Sequence, residues 1–336
     1  MTAISQAWVS RFGPLRRAAA ILAVSLAGSA VIEWVPTCSA TEVFVSIGTG
    51  EMNGIYYPVS KAICKVVETE LRALGIWCSP ETTPGSVYNI GGVQSGELEF
   101  GIVQSDVQFA AYTGIGAWNG RPVSELRSVL SLYPELVTVI AREGANIRNL
   151  TDLAGKRVNV GSQGTGTRAT WDAIAAKLGN SDYKEARLAL KAAETTSALC
   201  SGAIDANFLI VGHPSPLVSS QLAACPCNFV PITGPVVDQL IAAYPFYVRG
   251  SIPTASYGIS ADVPTFGSRA TLVTSASADA RVVAAIAKAI LTHVVELRTL
   301  HPALATLKAE EMISQGLTAP LHPAAATVYK ELGLLN

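Results

Sequence analysis

The feature that most constrains this chain is a repeated junction, in which a β-branched apolar run ends in a glycine-rich turn and a helical pattern follows at once. It occurs at Gly48-Thr49-Gly50, after the run Glu42 to Ile47. It recurs at Gly161-Ser162-Gln163-Gly164-Thr165-Gly166-Thr167, after Arg157 to Val160. Strands joined through helices return parallel rather than as hairpins, so this alternation specifies sheets with helices on their faces.

The first half predicts a helix after Tyr56-Tyr57, with Pro58 in its first turn and Val59, Ala62, Ile63, Val66, Val67, Leu71 and Leu74 at helical spacing. Ser86 is the candidate N-cap of a second helix that places Val87, Ile90 and Val93 on one face and stops at Gly96. Leu98 to Val103 then returns as a strand. The same grammar predicts a helix from Thr167 carrying Trp171, Ile174 and Leu178, a strand at Ala186 to Leu190, a helix at Thr195 to Cys200 and a strand at Ala206 to Val211. Ser95-Gly96-Glu97-Leu98-Glu99 before Phe100 and Ser201-Gly202-Ala203-Ile204-Asp205 before Ala206 are near copies of one helix-to-strand turn.

A chain of 336 residues exceeds what one core usually organises, so two α/β lobes are expected. The long β-rich run Ser128 to Arg142 reads as a crossing strand and hinge, with Thr271 to Thr274 its returning partner. Residues 41–138 and 226–336 are assigned to lobe 1 and 139–225 to lobe 2, with hinge strands near 128–142 and 268–276. Asp279 to Leu300 reads as one long amphipathic helix, with further helix in the tail from Leu321.

Arg11, Arg16 and Arg17 precede the apolar stretch Ala18 to Val31, and Cys38 and Ala40 stand at −3 and −1 of a cleavage site before Thr41. Residues 1–40 therefore read as a secretory signal peptide, which places the mature chain in the periplasm. No later apolar run approaches the roughly 20 residues of a membrane span, so the mature protein is expected to be soluble. With 24 basic and 25 acidic residues and no basic run after the N-terminus, nucleic acid is excluded as a partner. Export permits disulfides: Cys64 can pair with Cys78, and Cys200 with Cys225 or Cys227.

The turn at Gly161 to Thr167 opens a helix whose free N–H groups and partial positive charge suit a small anion, most plainly a carboxylate; Ser162, Thr165 and Thr167 add hydroxyls. Gly164-Thr165-Gly166-Thr167-Arg168-Ala169 fits a dinucleotide fingerprint, but no acidic residue closes the next strand and no Walker lysine follows, so no cofactor is expected. Gln104-Ser105-Asp106 and Gly212-His213-Pro214 lie just past strand ends, where open α/β sheets bind ligands. His213, His293, His301 and His322 belong to no recognisable nucleophile or metal spacing, so neither an enzyme nor a metal site is expected. His293 reads as structural, and His301 and His322 as turn residues before prolines.

Nine segments in order resemble one family: Gly54-Ile55-Tyr56-Tyr57-Pro58, Gly85-Ser86-Val87-Tyr88-Asn89, Val103-Gln104-Ser105-Asp106-Val107, Ser131-Leu132-Tyr133-Pro134-Glu135, Asp152-Leu153-Ala154-Gly155-Lys156-Arg157-Val158, Gly164-Thr165-Gly166-Thr167, Tyr244-Pro245-Phe246-Tyr247, Asp262-Val263-Pro264-Thr265 and Pro320-Leu321-His322-Pro323. The family is the TAXI receptors (TRAP-associated extracytoplasmic immunogenic proteins), which serve tripartite ATP-independent transporters. The resemblance implies a two-lobed periplasmic binding protein, expected to be a monomer. It would close on a small organic acid (dicarboxylate, 2-oxo acid or acidic amino acid) and deliver it to TRAP-type permease subunits. Expected ligand contacts are Thr49, Asn53, Tyr56, Ser86, Gln104, Asp106, Ser162, Gly164, Thr165, Gly166, Thr167 and His213. The chain departs from the family at Glu51-Met52-Asn53, Thr83-Pro84-Gly85, Arg168 and His213; Arg168 or His213 is the expected partner of any extra ligand charge. The rival readings are a binding protein that signals to a membrane receptor and an exported hydrolase using His213.

Overall fold

The computed structural model describes residues 43–179 and 187–335; the expected signal peptide and cleavage site, Glu42 and Ala186 lie outside them. Strand β1 (Val43–Gly48) runs parallel between β2 (Ile76–Glu81) and β3 (Phe100–Gln104), and helices α1 (Tyr56–Ala73) and α2 (Ser86–Ser95) make the crossovers. Helix α1 opens two residues ahead of Pro58, which sits where its missing N–H is not needed. Its Val59, Ile63, Val67 and Leu71 are fully buried. Gly85, at φ 128°, precedes α2 in a conformation that favours glycine, so the expected cap moves back one residue and Ser86 becomes the first helical residue. Helix α3 (Ser105–Thr113) follows β3 directly.

Strand β4 (Leu126–Arg142) is 17 residues long, about 55 Å at strand rise, enough to traverse both halves of the molecule. Its first part pairs antiparallel with β10 (Val263–Ser275), and Leu136 to Ala141 pair with β7 (Ala206–Val211). The described strands form one sheet in the order β2-β1-β3-β10-β4-β7-β5-β6, with β5 at Val158–Asn159 and β6 at Arg187–Leu188. β8 (Cys227–Val230) pairs with the far end of β4, and β9 (Val248–Ile252) with the start of β10. The two antiparallel strands β4 and β10 thus join two otherwise parallel α/β halves.

Each half has its own core. Ile47, Ile63, Phe100, Leu272, Ile286 and Tyr329 pack in the first, and Val139, Trp171, Phe208, Val230, Leu240 and Phe246 in the second. Burying each large side chain contributes roughly 1.5–3 kcal/mol. Val230, Ile232, Val237, Leu240, Phe246, Tyr247 and Phe266 belong to the second core, so the expected return to lobe 1 at residue 226 is corrected. The chain returns along β10, because β8 adds to the second-lobe end of β4.

The second lobe carries α4 (Gly166–Leu178), α5 (Ala192–Cys200), α6 (Pro216–Ala224) and α7 (Pro235–Ala243). The long helix expected from Asp279 divides into α8 (Ala280–Thr292) and α9 (Val294–Leu300). The break is at His293, whose Nδ1 lies 2.9 Å from the Ala289 carbonyl oxygen and whose backbone leaves helical values. Disulfides Cys64–Cys78 and Cys200–Cys225 close loops separated by 14 and 25 residues, and among the described residues Cys227 is left as a free thiol. Such cross-links contribute about 3 kcal/mol each in the chain-entropy account. Among the described residues, no helix is long and apolar enough to cross a membrane.

Candidate functional site

A cavity of about 150 Å³ lies between the lobes. The first lobe supplies Gly50, Glu51, Asn53, Gly54 and Tyr56 after β1, Gly85 and Ser86 at the start of α2, and Gln104 at the end of β3; Glu135 comes from β4. The second lobe supplies Asn159, Gly161, Ser162, Thr165, Gly166 and Thr167, with Thr195 of α5 and the apolar Leu209, Ile210 and Val211 of β7. Carboxyl ends of strands and amino ends of helices therefore converge from both sides.

The glycine-rich loop behaves as a helix opening. Gly161 and Gly164 have φ of 80° and 89°, which lets the chain turn back onto α4. Thr165 is the N-cap: its hydroxyl accepts from Arg168 N at 3.1 Å and donates to the Ser162 carbonyl at 2.7 Å. Gly166 and Thr167, as first helical residues, keep N–H groups with no intrahelical acceptor, and both line the cavity. Gly166 is also a point of contact across the cleft: a Cβ there would come within 1.7 Å of Gln104 Oε1 and 2.7 Å of Ser86 Oγ.

Several bonds hold the lobes against each other. The Gly164 carbonyl accepts from Val87 N (3.1 Å) and Tyr88 N (3.3 Å), so a second-lobe backbone group caps α2 of the first. Thr170 of α4 donates to Asp106 Oδ2 (2.5 Å) and accepts from Gln104 Nε2 (3.0 Å). Tyr247 donates to Asp106 Oδ2 at 3.0 Å, and Ser268 to its Oδ1 at 3.4 Å. Ala192 N, at the start of α5, donates to Glu51 Oε2 at 3.1 Å.

Tyr56 donates to Glu135 Oε2 at 2.7 Å, and its oxygen lies 3.5 Å from Ser86 Oγ, which accepts from Gln104 N at 3.1 Å. Burial pushes the Glu135 carboxyl up to about 8; the Tyr56 bond opposes this and the nearby Asp106 carboxylate adds to it. Burial likewise raises Asp106, against the pull of its bonds from Thr170 and Tyr247. Among the described residues, no Lys, Arg or His lines the cavity.

Of the expected contacts, Asn53, Tyr56, Ser86, Gln104, Ser162, Thr165, Gly166 and Thr167 are brought together here. Four are not. Thr49 is buried and donates to the Glu81 carbonyl at 2.7 Å, bracing the turn beneath the cavity. Asp106 is sequestered in the bonds between the lobes, and Gly164 spends its carbonyl on α2. His213 turns away: its Nε2 lies 2.9 Å from Thr138 Oγ1 and its Nδ1 2.6 Å from the Tyr257 hydroxyl, and burial pushes it down to about 4. Arg168 does not reach the cavity either, pairing with Asp172 at 3.0 Å one turn along α4. The expected charge partners for a ligand are thus both engaged elsewhere.

Sequence reasoning missed Glu51, Glu135 and Asn159 in the lining, and Thr170 and Tyr247 beside it. Asn159 ends β5, donates to Asn207 Oδ1 at 2.8 Å and accepts from Leu190 N at 2.8 Å, so it braces the cavity floor. A glutamate in the middle of the apolar run Ser131 to Val139 was the available signal for Glu135, since a buried carboxyl needs a local reason.

Two α/β halves joined by crossing strands, with one cavity where strand ends and helix starts meet, make the two-lobed fold of periplasmic binding proteins. The chain belongs to the NMT1-like family, whose model matches residues 47–333. Its fold is similar to that of a protein from Bordetella bronchiseptica RB50, at 14% identity, with 87% of this chain and 98% of that one covered and a TM-score of 0.52. It is also similar to the periplasmic aliphatic sulphonate binding protein of Escherichia coli (14% identity, 86% and 84% covered, TM-score 0.46). A third similar structure is the GluR0 ligand-binding core of Nostoc punctiforme in complex with (L)-glutamate (16% identity, 77% and 96% covered, TM-score 0.46).

Proposed function

We propose that this chain is an extracytoplasmic solute receptor that closes on a small carboxylate-bearing molecule in the periplasm. The observation that carries this is the pair of unsatisfied N–H groups of Gly166 and Thr167 at a helix start, set in the wall of a cavity between two lobes. A ligand carboxylate accepts from those groups and meets the favourable end of the helix dipole. The hydroxyls of Ser86 and Tyr56 and the amide of Gln104 complete the first-lobe side. Closing the lobes over the ligand adds the cross-lobe bonds of Gly164 and Asp106, and only the differential affinity for this closed form drives the change.

The ordered resemblance to TAXI receptors supports delivery to a tripartite, ion-coupled permease, and supplies small organic acids, with one carboxylate or two and including 2-oxo acids and amino acids, as the solutes to screen. The test is a thermal-shift screen of the secreted protein against those acids and their neutral analogues. A native-state ligand at 100 times its dissociation constant adds about 2.7 kcal/mol of stability, which raises the melting temperature. A rise with one acid, absent with the corresponding neutral molecule lacking a carboxylate, is expected. A response only to solutes without a carboxylate would sink the reading.

A further inference from the structure

The start of α5 is already occupied by a carboxylate of the protein itself. Glu51, in the first-lobe turn after β1, reaches across the cleft and accepts from Ala192 N at 3.1 Å. Lys191 is the N-cap of this nine-residue helix, and its own N–H goes to Glu194 Oε2 at 2.9 Å. Glu51, Ala192 and Thr195 all line the cavity, so this helix start opens onto it just as that of α4 does. The two helix starts differ in one respect: α4 keeps N–H groups for an incoming anion, whereas α5 holds an anion from the opposite lobe. Glu135 adds a second carboxyl to the same wall, which burial keeps largely uncharged at neutral pH, and among the described residues no basic side chain lines the cavity to offset Glu51.

We propose that Glu51 sets the charge class of solute the cleft admits: a molecule with one carboxylate and an uncharged or cationic far end is accepted, and a dicarboxylate is refused. This rests on the reading of the cleft as a carboxylate-capturing site, with the α4 start as the end that receives the carboxylate. At the α5 start a second carboxylate would find Ala192 N already taken. It would meet the Glu51 charge instead, in a cleft where Glu51 is half-buried and like charges are screened less than in open water. An amide at that end keeps the shape and removes the repulsion. Specificity then comes from a repulsive element rather than from an added attraction.

The experiment is calorimetric titration of the protein and of its Glu51→Gln variant with two matched pairs, L-glutamine against L-glutamate and succinamate against succinate. Glu51→Gln retains an oxygen for Ala192 N and removes only the charge. The unaltered protein is expected to bind the amide member at least ten-fold more tightly. The variant should shrink that ratio below three-fold, mainly by gaining affinity for the diacid. A purely structural role for Glu51 would shift both members of a pair together and leave the ratio unchanged. That outcome, or a preference for the diacid in the unaltered protein, overturns the role given to Glu51 while carboxylate capture stands. If neither protein binds any of the four, the capture reading itself falls, and this inference with it.

Discussion

Helices α2 and α4 both start at the cleft, each after a turn that contains a positive-φ glycine, yet their exposed N–H groups are used differently. At α2, Val87 N and Tyr88 N are taken by the Gly164 carbonyl of the other lobe. At α4, Thr165 caps only Arg168 N, and Gly166 and Thr167 face the cavity. The first helix start therefore serves closure and the second serves the ligand. One loop, Gly161 to Thr167, does both jobs, because its glycines aim one carbonyl outward at α2 and two N–H groups inward. A change in this loop is accordingly expected to act on closure and capture together.

The sharpest way to break that comparison is Gly166→Ala. Its new methyl would overlap Gln104 Oε1 and crowd Ser86 Oγ, at the 1.7 and 2.7 Å noted for a Cβ. Gln104 cannot swing aside without giving up Thr170, to which it donates at 3.0 Å. A form with the lobes apart would lose this contact, and alanine is a better helix former than glycine by about 0.5–1 kcal/mol. Ligand affinity should fall by two orders of magnitude or more, with the melting temperature of the unliganded protein nearly unchanged. Titration beside a thermal melt reads both; retained affinity would mean that the cleft closes without this contact.

Glu135 separates the two roles more finely, since it lies in the wall rather than in the loop. Its carboxyl is held at about 8, above an ordinary value of 4.5, because burial penalises the charge. The folded protein therefore binds more protons than the unfolded chain between those values. This contribution to stability is full below pH 4.5 and is lost as pH rises through 8. The loss is on the order of a few kcal/mol. Denaturant titrations from pH 5 to 8.5 should show stability falling, and Glu135→Gln should flatten that slope. An unchanged slope in the variant would assign it to other groups.

The elements of this fold were legible because they rest on local period and punctuation. Glycine turns at Gly48 and Gly161, the helical spacing from Val59 to Leu71 and the alternation of strand with helix all appear within a few residues of one another. The glycine loop and the first-lobe hydroxyls were legible for the same reason. What escaped was decided by partners far along the chain. Asp106 and His213 both stand past a strand end, where ligands bind, and looked alike as candidates. Asp106 is claimed by Tyr247, 141 residues away, and His213 by Tyr257, 44 residues away. The Cys200 pairing remained open between Cys225 and Cys227 until the geometry chose Cys225. The lobe boundary moved because a strand as short as Cys227–Val230 joins whichever edge is free, and that edge was β4.

The smallest effect on binding is expected at His213, and it tests whether the second-lobe strand end belongs to the cleft at all. The Tyr257 hydroxyl accepts from Ser215 N at 2.7 Å and lies 2.6 Å from His213 Nδ1, while Thr138 Oγ1 donates to the Leu136 carbonyl at 3.1 Å and faces Nε2. These partners fit a neutral ring with its proton on Nε2, and burial holds its value at about 4, against 6.5 for a free imidazole. The folded state thus binds fewer protons between those values; the contribution is full above pH 6.5 and is lost as pH falls through 4. His213→Ala removes one partner from the buried Thr138 hydroxyl and one from the half-buried Tyr257 hydroxyl, at a cost of about 1–3 kcal/mol. Affinity for the solute should stay within two-fold while the melting temperature drops and the loss of stability between pH 6.5 and 4 becomes shallower. A large loss of affinity with unchanged stability would put His213 back in the cleft and make the two lobes' strand ends equivalent.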